Sequence, residues 1–129
     1  PVQHILFDVK NQGLTNHVVM DEDLTIHRNV MPHLDLISSG TAVESPSEVI
    51  DSHRLSTVFE YIRDEYDVIV VDTPSVLSVT DALVIAEKGD GVLFVVKGHY
   101  VQPDDMALAK QRLDQIGVPI IGSVFIDME

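Results

Sequence analysis

Cysteine and tryptophan are absent from this 129-residue sequence, aromatics make up 5% of it, and eight Lys or Arg stand against 21 Asp or Glu. Each shortage excludes something. Without cysteine there are no disulfides, zinc-thiolate sites or thiol nucleophiles, which fits a reducing cytoplasm. No apolar run approaches the roughly 18 residues of a membrane-spanning helix, and no signal-peptide pattern is present, so direct membrane insertion is not expected. The formal charge of −13 repels phosphodiester backbones, which argues against nucleic acid as a partner. The few cations, Lys10, Lys88, Lys97 and Lys110 with Arg28, Arg54, Arg63 and Arg112, are scattered rather than clustered.

What is present is a 45% apolar chain, long enough for one domain that buries about two thirds of its surface. From Leu34 onward, short apolar runs alternate with helical patterns, the signature of β-α units in a parallel sheet. Four strands are predicted: Leu34 to Ile37, Val68 to Val71, Gly91 to Val96 and Pro119 to Ile126. Their β-branched residues and short lengths favour strand over helix. Ser45-Pro46-Ser47-Glu48 reads as a capping box that opens a helix, with Val49, Leu55, Val58, Phe59 and Ile62 on one face. Thr80-Asp81 opens a second helix that Gly89 ends, and a third runs from about Pro103 to Ile116 with Gly117 as its stop. The first third is less legible. His4 to Asp8 could be strand or helix, Gly13-Leu14-Thr15 starts a short helix, and Met20 to Leu24 reads as a polar loop.

The run from Tyr66 to Ala82, YDVIVVDTPSVLSVTDA, carries the chemistry. A continuous Val/Ile run reads as a strand covered on both faces, and Asp72 then stands at its carboxyl end, where open α/β sheets place ligands. That is the look of a Walker B acid, which orients Mg²⁺ at a nucleotide phosphate, usually through water. Asp72 is the candidate catalytic and metal-side residue, and Asp81 reads as a helix N-terminal residue favoured by the dipole. The histidines, His4, His17, His27, His33, His53 and His99, make no H-x-x-x-H or H-x-x-E-H pattern, and Asp21-Glu22-Asp23 lacks the spacing of a calcium loop. A receiver-like signalling domain also carries an acid at a strand end, and Lys97 would suit it. The early acidic pair it requires is missing, since Asp8 stands alone.

In order along nearly the whole chain, the motifs resemble those of the cytoplasmic kinase domain of bacterial tyrosine kinases that regulate capsule and exopolysaccharide export, members of a wider P-loop partition-ATPase class. Gly13-Leu14-Thr15-Asn16-His17-Val18 resembles the family's G-L-S-[DN]-V-L. Leu34 to Gly40 resembles its strand ending in S/A-G, and Ser45 to Ile50 its N-P-S-E-L-L. Tyr66 to Ala82 resembles Y-D-x-[IV]-[IL]-[IV]-D-T-P-P-[VI]-L-x-V-T-D-A, with Ser75 in place of the second proline. The resemblance implies an α/β three-layer, mainly parallel, P-loop NTPase-like sheet, here incomplete and corresponding to the C-terminal two thirds of a single domain. It also implies Mg and ATP as the parent family's cofactors and phosphoryl transfer to tyrosine, with Asp72 on the metal, Thr73 and Pro74 as cofactor-lining residues on the γ-phosphate side and Asp81 as a second acid near that edge. The implied location is cytoplasmic, peripheral to the inner face of the plasma membrane. A membrane-anchored polysaccharide co-polymerase, or the domain's own missing N-terminal portion, is the implied partner, with self-association a further expectation.

Two family elements are missing from the sequence. None of the seven glycines is followed by lysine, so G-x-x-x-x-G-K-[ST] is absent, and so is the acidic strand ending D-x-D-x-R. Ile126 stands where the family usually carries an adenine-contacting asparagine. Three explanations remain open: a fragment of a longer kinase, a split domain completed by another chain, or a degenerate non-catalytic module of the export machinery. In the family the strand that carries the phosphate loop is central, and a sheet without it leaves unpaired edges, so either a partner surface at that gap or a rearranged strand order is expected. With no phosphate cradle, the chain alone is expected to bind no ATP stably; calorimetric titration with Mg-ATP checks this, and a low-micromolar dissociation constant overturns it.

Overall fold

The computed structural model describes residues 3–44, 49–50, 53–98 and 101–126. The chain divides into two compact units, Pro1–Ile69 and Val70–Glu129.

In the first unit, helices α1 (Gln3–Leu6) and α2 (Leu14–Met20) precede a hairpin of β1 (His27–Met31) and β2 (Leu34–Leu36), followed by helix α3 (His53–Glu65). The ambiguous His4 to Asp8 stretch is thus a helix start, and Asp8 leaves it in the left-handed region at φ 52°. The hairpin is antiparallel, pairing His27 with Leu36 and Met31 with Leu34. Its turn uses His33 at φ 63°, and a register irregularity coincides with Asn29 at φ 52°, backbone states that short polar side chains tolerate better than branched ones. β1 was not anticipated, because His-Arg-Asn-Val-Met shows no alternation; cross-strand pairing imposes the strand where the pattern does not. β2 begins where expected, but its partner is antiparallel rather than parallel. Helix α3 buries Leu55, Val58 and Ile62, each under 8% exposed, at the three- and four-residue spacing that makes one apolar face. The capping box at residues 45–48 lies outside the described residues.

The second unit holds helix α4 (Asp81–Ala86), strand β3 (Val92–Lys97), helix α5 (Pro103–Gln115) and strand β4 (Ile120–Ile126). β3 and β4 are parallel, with Val92 opposite Ile120 and Lys97 opposite Ile126, so α5 is the crossover of a β-α-β unit. A register shift between Val92 and Leu93 skips Ile121; there a Cβ on Gly91 would lie 2.5 Å from the Ile121 side chain, which would have to shift to admit it. Pro103 begins α5 where its missing N–H costs nothing, Asp105 accepts a 3.3 Å bond from the Gln102 N–H, and Gly117 at φ 71° ends it. Ala109 and Leu113 form its buried face.

The α/β character predicted from the sequence is present. Among the described residues the ladders are two two-stranded sheets, one antiparallel and one parallel. The decisive departure is at Val68 to Val71, which joins no ladder, with Val68 77% and Val70 87% exposed. A strand needs neighbours for its N–H and C=O groups, and none of the described segments supplies them. One face of the β3–β4 pair is likewise uncovered. By register, Leu93, Val95, Val124 and Ile126 share it, and each is at least 40% exposed. A single crossover helix covers only one side of a sheet.

These burial differences predict unequal mutational costs. Leu113→Ala should destabilise the chain by about 2–4 kcal/mol, whereas Val70→Thr should stay within about 0.5 kcal/mol; urea unfolding measures both, and a costly Val70→Thr would show that this run is packed.

Candidate functional site

The structure places Asp72 at the exposed end of the unpaired 68–71 run, followed by exposed Thr73 and Pro74. The chain then turns. Ser75 organises that turn in place of the family's second proline: its Oγ accepts from the Leu77 N–H at 3.4 Å, and its carbonyl accepts from the Ser78 N–H at 3.0 Å. Arg112 of α5 donates from Nη1 to the Val76 carbonyl at 3.1 Å, which ties the turn to the β-α-β unit. Asp81 is the first residue of α4, where its carboxylate complements the helix dipole. Neither acid joins a cluster of three or more metal-ligating side chains among the described residues. Asp72 alone therefore fits Mg²⁺ only in the manner of a phosphate-bridged ion, one carboxylate with waters and phosphate oxygens completing the shell.

Two arrangements in the first unit were not singled out from the sequence. In the first, the Gly13-Leu14-Thr15-Asn16 and Ser38-Ser39-Gly40 motifs, read separately as family resemblances, pack against one another. The Leu14 and Thr15 N–H groups donate to the Ser38 and Ser39 carbonyls, each at 2.9 Å. Asn16, 7% exposed, is the hub: its Oδ1 accepts from the Gly13 N–H at 3.3 Å and the Thr41 N–H at 3.1 Å, and its Nδ2 donates to Glu22 at 3.2 Å. A Cβ on Gly13 would overlap the Ser38 carbonyl, and Gly40 holds φ 86° with the Thr15 and Asn16 side chains against it. Both glycines are thus required by close approach.

The second is a clamp at the start of the Walker B-like stretch. Tyr66 donates from its hydroxyl to Asp35 Oδ2 at 2.7 Å, and Arg28 Nη1 donates to the same oxygen at 2.8 Å and to the Tyr66 hydroxyl at 2.6 Å. The Asn29 N–H donates to Asp35 Oδ1 at 2.7 Å, and Arg28 lies 5.8 Å from the Tyr66 ring centre. The hairpin is thereby fastened to the residue just before Asp67-Val68. The Tyr66 hydroxyl, then the Asn29 N–H and the Arg28 guanidinium, hold the Asp35 carboxyl down to about 2. The hydrogen bond to Asp35 raises both Tyr66 and Arg28. An i-to-i+38 contact between Arg28 and Tyr66 leaves no periodic trace in a sequence.

No protein-family model matches the sequence. Among characterised proteins, the chain is 30% identical over 131 residues to a protein described as the putative tyrosine-protein kinase CapB of Staphylococcus aureus, covering 99% of this chain and 58% of that one. It is 32% identical over 127 residues to the tyrosine-protein kinase Etk of Escherichia coli K12, covering 94% of this chain and 17% of the relative. Among solved structures it matches the kinase domain of E. coli Etk at a TM-score of 0.88 and 31% identity, over 98% of this chain and 51% of that domain. It also matches the chimerical protein CapA2B2 at a TM-score of 0.89 and 26% identity, over 98% and 57%. The chain therefore spans less than two thirds of each. These matches favour the kinase resemblance over the receiver-like one.

Because Asp35 is held below its ordinary value of 3.8, its contribution to stability is fully present above that value and is lost as pH falls toward 2. The stability gap between the wild-type chain and Asp35→Asn, from urea unfolding at a series of pH values, should hold steady above about pH 5 and shrink below pH 4. A gap that stays constant to pH 2 would contradict the clamp.

Proposed function

On the premise that the chain is homologous to the kinase domains of bacterial tyrosine-protein kinases and corresponds to about half of one, we propose that it is the metal-side portion of a tyrosine autokinase domain that regulates capsule or exopolysaccharide assembly. The carrying observation is the match over 98% of the chain to the Etk kinase domain, together with the intact stretch from Tyr66 to Ala82. In this reading the two units are parts of one P-loop-type domain. The missing half supplies the phosphate cradle and the strand neighbours that the 68–71 run and the β3–β4 pair lack.

Within such a domain, Asp72 orients the metal through water, the backbone at Thr73 and Pro74 lines the γ-phosphate side, and Asp81 adds negative potential near that edge. Mg-ATP, when bound, supplies the transferable phosphoryl group. The chain's own contribution is positioning. Ser75 and Arg112 fix the turn after Asp72, and the Arg28–Asp35–Tyr66 clamp fixes the approach to it. The domain would work in the cytoplasm, beside a membrane-anchored polysaccharide co-polymerase. Among the described residues no helix is long and apolar enough to cross a membrane.

The second reading, a non-catalytic interaction module, is favoured by one feature: no glycine of the sequence is followed by lysine. Mixing the chain with a polypeptide carrying the unmatched half of the CapB-type kinase separates the two. The kinase reading expects a stable complex by size-exclusion chromatography, Mg-dependent ATP binding that neither part shows alone, and phosphotyrosine by mass spectrometry. Asp72→Asn should abolish that binding while the complex persists. A complex that never binds ATP supports the module, and unchanged ATP binding in Asp72→Asn overturns the role of Asp72.

A further inference from the structure

The run Val68-Ile69-Val70-Val71 is bare in two ways. Its composition favours a strand, yet it joins no ladder, and none of its N–H or C=O groups bonds to another described backbone group. By strand alternation Val68 and Val70 share one side, and they are 77% and 87% exposed; Val71, on the other side, is 43% exposed. An occupant must therefore meet donors, acceptors and apolar side chains together. A helix laid on Val68 and Val70 would cover the side chains but leave the backbone groups cut off from water, each at a cost comparable to a lost hydrogen bond. A second strand satisfies both, which is recognition by strand addition.

The flanks select among strands. Asp67 and Asp72 bracket the run symmetrically, and no Lys or Arg stands between Arg63 and Lys88. In a second copy paired antiparallel about the centre of the run, Asp67 would face Asp72; paired parallel in register, each acid would face itself. Like charges directly opposite destabilise a strand pair, and two chains of formal charge −13 repel before they meet. Self-pairing is thus opposed at both ends. A strand carrying Lys or Arg at its ends meets the same acids favourably. The chain also prepares one end for docking. The Tyr66 hydroxyl, donating to Asp35 Oδ2 at 2.7 Å and accepting from Arg28 Nη1 at 2.6 Å, fixes the residue before Asp67, so less backbone freedom is lost when the run is paired.

We propose that residues 68–71 are a strand-addition surface whose occupant is an apolar β-strand with a cation at one end or both, contributed by the half of the kinase domain that this chain does not match. The source of that strand rests on the kinase reading, in which the chain corresponds to 51% of the solved Etk kinase domain. The pairing mode and the charge of the incoming strand go beyond it.

Hydrogen exchange on the 129-residue chain, alone and mixed with the polypeptide carrying the unmatched half of the CapB-type kinase, tests the proposal. Amides of residues 68–71 should exchange freely in the chain alone, and at least alternate ones should slow by about tenfold or more in the complex. Val70→Pro and Val71→Pro remove donors that point to opposite edges of the run. Neither N–H bonds to another described backbone group, so both variants should fold by circular dichroism, and at least one should weaken the complex by about tenfold or more. Asp67→Lys should slow association by about threefold or more at low salt. Should a proline variant fail to fold, the exchange pattern of the wild-type pair decides. A complex in which residues 68–71 exchange as freely as before, both proline variants binding like wild type, or Asp67→Lys associating faster would each overturn the proposal while the kinase reading stands. A protected run in a complex that binds no Mg-ATP would do the reverse, and no complex at all would overturn both. Protection of the run in the chain alone that is lost on dilution would make a second copy the occupant and overturn the proposal.

Discussion

A strand cannot satisfy its own backbone, and that constraint governs this chain more than any side-chain contact. Where two strands are joined by a crossover helix within the sequence, as β3 and β4 are through α5, the parallel ladder forms in regular register from Leu93 to Lys97. Where no described segment supplies neighbours, as at Val68 to Val71, a strand-like run lies outside any ladder, with Val70 87% exposed. The same logic leaves Leu93, Val95, Val124 and Ile126 bare on one face of the pair. Apolar exposure on this scale marks surfaces meant to be covered.

In the first unit, beside the apolar face of α3, two joints rest on polar groups. Asn16 collects the N–H groups of Gly13 and Thr41, so that a helix start and a strand exit separated by more than 20 residues are joined without an apolar core between them. Asp35 gathers three donors in the same manner and fastens the hairpin to Tyr66. Both acceptors are fully used, which is the condition under which such networks fix a single geometry rather than weaken it. The Walker B-like stretch is thereby tied at Tyr66 before Asp72 and at Val76, through Arg112, after it, each within its own unit.

Legibility in the sequence tracked the range of the interactions. Helices α4 and α5 and strands β3 and β4 stand within a residue or two of their expected bounds, because their signals are local: proline at a helix start, glycine at φ 71° at its end, β-branched runs between. β1 went unseen because its residues carry no alternation, and the sense of the hairpin was missed because a two-residue turn at Pro32-His33 has no glycine or asparagine to announce it. The strand expected at Val68 to Val71 failed for the opposite reason, since its composition is right and its neighbours are missing. The Asp72 motif was legible as a pattern, whereas the Arg28–Asp35–Tyr66 clamp, which joins residues 7, 31 and 38 apart, was not.

The sequence by itself determined the α/β alternation, the helix limits and the identity of the acid-bearing stretch, since propensity, capping and motif spacing act over a few residues. It also determined that none of its seven glycines is followed by lysine. Tertiary structure alone decided which strands find partners, which apolar residues are covered, that the Gly13 and Gly40 motifs form one joint around Asn16, and that Arg28 meets both Asp35 and Tyr66. Those outcomes depend on contacts between distant residues, whose energy appears only once the backbone brings them together.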